Sequence, residues 1–99
     1  MSKGYWIAAI TIHEQAGYAD YQAAMRLALG AFGGRYLVRG GKAEAMEGTP
    51  RSRAVVIEFA DYATALACYH SPQMVRARQM RQRLADTDLL VVEGWDGAY

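Results

Sequence analysis

The sequence contains one cysteine, Cys68, which excludes an internal disulfide and any multi-cysteine metal site. A reducing cytoplasm is the setting this implies. The two histidines, His13 and His70, are too few for a zinc site without cysteines beside them, so no metal and no cofactor is expected. Charge is nearly balanced at +1, which argues against a protein dominated by phosphate contacts and hence against nucleic acid as a partner. No stretch reaches the ~18 uncharged apolar residues of a membrane span, so no membrane association is expected. The early apolar run is interrupted by Thr11, His13 and Glu14, and no small-x-small cleavage pattern follows, so it reads as a strand rather than a signal peptide. No internal repeat or low-complexity segment is present. The paired glycines lack the spacing and following helix of a phosphate loop.

What remains is a short, apolar chain. Its 99 residues make one domain, 1–99, and a domain of this size buries only roughly 60–65% of its unfolded surface, leaving a thin core. Yet 53% of the residues are hydrophobic, with seven Tyr and two Trp. That surplus points to a second buried surface, most simply a second copy of the chain.

The chain is organised around Arg53 to Phe59, Arg-Ala-Val-Val-Ile-Glu-Phe, an apolar β-branched run that reads as a central strand. Tyr5 to Ile12 is another, with Tyr5, Ile7, Ala9 and Thr11 on one face and Trp6, Ala8, Ile10 and Ile12 on the other. Tyr18, Tyr21, Met25, Ala28, Leu29 and Phe32 recur at helical spacing, and Gly33-Gly34 ends that helix. Arg35 to Arg39 reads as a strand, interrupted at Gly40-Gly41 by a bulge or bend before Lys42 to Glu47, which also alternates. After the Gly48-Thr49-Pro50 turn the central strand must run antiparallel to it.

Asp61 is placed to cap a short helix through Tyr62, Ala65, Leu66 and Tyr69, and Ser71-Pro72 to start another. Met74, Ala77, Met80 and Leu84 form the apolar stripe of the second, with Arg76, Arg78, Arg81 and Arg83 mostly off it. Asp86 to Asp88 is expected to end that helix, and Leu89 to Trp95 to form the last strand. The order is βαββαβ, the split βαβ pattern of a ferredoxin-like α+β sandwich with helices on one face of a four-stranded antiparallel sheet. Both faces of three strands are apolar. A homodimer packed sheet to sheet is therefore expected, burying Ile7, Ala9, Val56 and Val91 or their neighbours.

Five blocks carry a resemblance: Gly4 to Ala8, Phe32 to Gly41, Val56 to Phe59, Cys68 to Pro72 and Val91 to Gly94. Together they resemble the domain-of-unknown-function family 1330, over essentially the whole chain. The resemblance implies the dimeric α+β barrel superfamily, whose relatives include cofactor-independent monooxygenases, lactone isomerases and ligand-binding modules. It implies no particular activity.

Two residues are candidates for catalysis. His70, at the junction between two helices, can exchange a proton near neutral pH, or it simply favours the C-terminal end of the preceding helix. Glu58 shares a face with Ala54 and Val56, where a carboxylate must be paired or have a raised pKa; Arg39 is the expected partner. Such a pair either serves catalysis or fixes the dimer register. Candidates for ligand contact are Arg39, holding an anionic group, Tyr36 and Tyr69, from an aromatic set that also includes Trp6 and Trp95, and Glu93, a second acid or a solvated strand end. Cys68 reads as a small buried residue, Ser71 as a cap, and the arginine-bearing helix as a solvated face. Two functions fit. One is a homodimer binding a small apolar or aromatic metabolite in the barrel cavity, with cofactor-free acid–base chemistry of an isomerase, lyase or monooxygenase. The other is a non-catalytic ligand-binding or oligomerisation module.

Overall fold

The computed structural model describes residues 2–97. Strand β1 (Gly4–Ile12) leads into helix α1 (Tyr18–Phe32), then β2 (Arg35–Arg39), β3 (Arg53–Phe59), helices α2 (Tyr62–His70) and α3 (Pro72–Gln82), and β4 (Ala85–Glu93). The sheet order is β2-β3-β1-β4, antiparallel throughout. This is the ferredoxin-like fold, with the apolar strands β3 and β1 at the centre.

Period-two alternation decides what each strand buries. Trp6, Ala8 and Ile10 of β1 and Val55, Ile57 and Phe59 of β3 all face the helices and are buried. Tyr18, Tyr21, Met25, Ala28 and Leu29 of α1, spaced at three and four residues, cover them. The Trp6 and Phe59 rings meet at 5.1 Å and the Tyr69 ring stands edge-on to Trp6 at 5.8 Å. Burying one such side chain contributes roughly 1.5–3 kcal/mol, so this aromatic group is a large share of a small core. The indole N–H is satisfied by the Ala65 carbonyl at 2.9 Å, which ties α2 to the sheet.

The helix ends follow local chemistry. Gly33 adopts a left-handed φ of 68° and its N–H bonds the Leu29 carbonyl, closing α1. Asp61 accepts the Thr64 N–H at 2.7 Å at the start of α2. Ser71 serves two helices: its hydroxyl donates to the Cys68 carbonyl at 2.7 Å and accepts the Met74 N–H at 3.2 Å.

Three expectations need correction. Lys42 to Glu47 alternates but forms no strand, because the β2–β3 ladder stops at Arg39 and nothing among the described residues pairs beyond it. At Gly40 the chain bends, as one of the two alternatives there required, with φ 66°, and a bulge lies earlier, between Tyr36 and Val38. Asp86 to Asp88 lies inside β4, where Asp86 and Asp88 alternate outward opposite Thr11 and Ala9, and Trp95 lies beyond the strand, largely exposed. Arg81 is buried in the α3 stripe rather than off it, its guanidinium donating to the Tyr21 hydroxyl at 3.1 Å.

Candidate functional site

The helices cover one face of the sheet and leave the other open. On the open face Ile7 pairs with Leu90, and Tyr5 with Val92; Ile7, Leu90 and Val92 are all exposed, as is Val38 beside Val56. Val91 was expected on this face but pairs with Trp6 and packs into the helix-side core, so Leu90 and Val92 take its place.

Glu58 stands on the open face, as its alternation with Ala54 and Val56 requires. Its partner is Arg35, not Arg39. Arg35 Nε donates to one carboxylate oxygen at 3.0 Å and the Tyr5 hydroxyl to the other at 3.1 Å. The Arg35 hydrogen bond, with help from Tyr5, holds the Glu58 carboxyl below its ordinary range, against partial desolvation. Burial and the neighbouring carboxylate push the Tyr5 phenol up. The bulge explains the exchange of arginines. One extra residue at Leu37 turns Arg39 to pair with Val55 on the helix side, where its guanidinium lies 4.6 Å over the Tyr36 ring.

The structure does not bring the remaining candidates to Glu58. His70 is the exposed last residue of α2, in the helix layer, with its ring edge-on to Tyr69 at 5.4 Å. The sheet stands between it and Glu58, so the two share no cavity within one chain. Tyr69 packs on Trp6, and the Arg78 guanidinium lies 4.0 Å over its ring. Glu93 pairs with Gly4 at the exposed end of β4, on the side opposite Glu58.

Two hollows remain. A cavity of about 640 Å³ lies on the open face beneath the 43–52 segment, lined by Ile7, Ala9, Ala54, Leu90, Ala45 and Pro50, with Arg51, Glu44 and Asp88 at its margin. Arg51 donates to Asp88 at 3.2 Å and to the Thr11 hydroxyl at 3.2 Å, and His13 bridges to Asp86 at 2.7 Å. The His13–Asp86 pair is exposed at both ends and contributes little to stability, whereas Arg51 is two-thirds covered and meets the exposed Asp88. The second hollow is a narrow cleft of about 20 Å³ on the helix side, where Tyr18, Tyr21 and Gln22 of α1 face Tyr36 of β2, Arg53 of β3 and Arg81 of α3. Burial pushes the Tyr21 and Tyr36 phenols up, opposed by Arg81 and by Arg39 and Arg53 respectively. Arg51, Arg53 and Arg81 went unremarked as site residues in the sequence. Arg53 was legible, because it alternates with Val55, Ile57 and Phe59 on the helix side. Among the described residues no three His, Cys, Asp or Glu side chains converge as a metal site, and no helix is long and apolar enough to cross a membrane.

The profile of the family described as Domain of unknown function (DUF1330) matches residues 3–95. The chain belongs to the DUF1330 family. Solved structures similar to this DUF1330 chain share its fold. RPA0582 from Rhodopseudomonas palustris, a protein of unknown function, aligns with a TM-score of 0.76 at 14% identity, covering 97% of this chain and 85% of that one. A dimeric ferredoxin-like protein of unknown function from Thermobifida fusca aligns with a TM-score of 0.59 at 13% identity, covering 93% and 89%. SnoaB from Streptomyces nogalater, a cofactor-independent oxygenase, aligns with a TM-score of 0.56 at 10% identity, covering 98% and 97%. No curated protein matches the DUF1330 chain in sequence.

Proposed function

We propose that the chain works as a cytoplasmic homodimer, two copies meeting through their open sheet faces, and binds a small apolar or aromatic metabolite in the cavity beneath the 43–52 segment. That cavity carries the reading. Its volume of about 640 Å³ falls within the range of roughly 300–1,000 Å³ typical of small-molecule sites, and its lining is mostly alanine, isoleucine, leucine and proline, with Glu44, Arg51, Ser52 and Asp88 as the polar groups. The surface area supports the dimer. A monomer of 10.9 kDa should expose about 5,600 Å², whereas this chain exposes 6565 Å². The excess is comparable to the roughly 800 Å² each partner buries in a standard interface. A similar fold occurs in a protein described as dimeric. One buried thiol suits a reducing compartment.

Binding without turnover is favoured over cofactor-free acid–base chemistry of the isomerase or monooxygenase kind. Glu58 is held ionised by Arg35 and Tyr5, which suits it to fixing the dimer register, and His70 lies across the sheet from it. A thermal-shift screen of uncharged aromatic compounds tests the proposal. Several should raise the melting temperature of the wild type, and Ala54→Phe, which fills the cavity, should abolish the rise while sizing chromatography still gives a dimer. A rise that persists in Ala54→Phe would place the ligand elsewhere.

A further inference from the structure

The helix-side cleft is unusual in its charge. Arg53 and Arg81 line it, and Arg39 lies over the Tyr36 ring at its edge, yet no carboxylate lines it. Among the described residues none of these three guanidiniums has a carboxylate within ion-pair distance; the ion pairs belong to His13, Arg35 and Arg51. The Arg53 Nε is shielded from solvent and has no hydrogen-bond acceptor among the described residues. A buried donor without an acceptor costs free energy, more so when it carries charge. Arg81 is differently held, spending a donor on the Tyr21 hydroxyl. The floor beneath both is apolar, formed by Trp6, Ala8 and Ile10.

We infer that this cleft binds the carboxylate of a small aromatic or apolar acid, with Arg53 as the main charge partner and the Tyr21 and Tyr36 hydroxyls beside it. A guanidinium fork matches a planar carboxylate with two parallel hydrogen bonds. The interior space of about 20 Å³ is little more than a water needs, so no more than a small head group enters it. The rest of the acid then lies along Tyr36 and Gln22 at the mouth. This site is separate from the cavity on the open face and does not depend on it.

Isothermal titration of the full chain at low ionic strength, with benzoate, benzamide and inorganic phosphate as probes, tests the inference. Benzoate should bind at least about tenfold more tightly than benzamide or phosphate, the size expected of charge-assisted hydrogen bonds. Arg53→Gln should remove that preference, and Leu90→Asp, on the far face of the sheet, should keep it even where the cavity there no longer binds. Equal binding of benzoate and benzamide by the wild type overturns the site. Phosphate binding as tight as benzoate overturns the carboxylate assignment, and an unchanged preference in a folded Arg53→Gln overturns the role of Arg53. The wild-type comparison decides the matter even if that variant fails to fold.

Discussion

Cys68 illustrates how burial alone sets reactivity. It is fully buried on the inner side of α2, its thiol directed at the Ala28 carbonyl, and burial pushes its pKa up to about 11. A thiolate is the reactive species, so the native protein should resist an aromatic disulfide reagent at pH 8 and react only as fast as the chain opens. Stopped-flow measurement with and without urea checks this; a native rate equal to that of a free thiol would mean the α1–α2 contact is loose. The sign of the pH effect follows. A thiol whose folded pKa lies above its unfolded value of 9.0 adds stability that is complete below pH 9 and lost as pH rises toward 11, and the raised Tyr21 and Tyr36 act in the same direction. At this scale the sequence revealed that Glu58 would face away from the helices, since alternation is local. It did not reveal which arginine Glu58 meets. A single extra residue at Leu37 reverses the facing of everything after it in β2, and no turn or glycine marks that position.

The α2–α3 junction shows how much one polar side chain does for two elements. Ser71 is 5% exposed, donates to the last turn of α2 and caps the first turn of α3, while Pro72 presets the backbone there. Ser71→Ala should therefore destabilise the protein by about 1–2 kcal/mol, the upper part of the range for a lost cap because two bonds go together. For a domain of this size that lowers the melting temperature by roughly 4–8 °C per kcal/mol, measurable by calorimetry. A shift within error would mean that Pro72 alone fixes the helix start. Caps, helical spacing and turn glycines are signals written within a few residues: spacing and Gly33 made α1 legible to its end residues, and flanking glycines and an apolar run did the same for β2 and β3. β4 was not, because Asp86, Thr87 and Asp88 look like a helix terminus; an edge strand with one open face accepts outward aspartates at alternate positions. The 42–47 alternation failed in the opposite sense. A strand needs a partner, and no neighbour's ladder reaches it.

The molecule is a slab, 43 × 36 × 17 Å, with a radius of gyration of 13.8 Å against about 12.6 Å for a compact chain of this length. One sheet with helices on a single side has that shape, and its thin dimension ends at an apolar surface. If a second copy completes the fold there, stability and association are one equilibrium, and the melting temperature must rise with protein concentration. Leu90→Asp places a carboxylate opposite Ile7 in the middle of the open face, 54% exposed in the isolated chain and hence tolerable to the monomer fold. Sedimentation should give a wild-type dimer and a Leu90→Asp monomer at micromolar concentration, and the variant's melting should lose its concentration dependence. Leu27→Asp is the control, since Leu27 is equally apolar and 74% exposed but sits on α1, in the layer on the other side of the sheet. Dissociation by Leu27→Asp and not by Leu90→Asp would move the interface to the helices. The open face would then be the wall of a ligand site alone, and the surplus of apolar residues in so short a chain would need that ligand, rather than a second copy, to cover it.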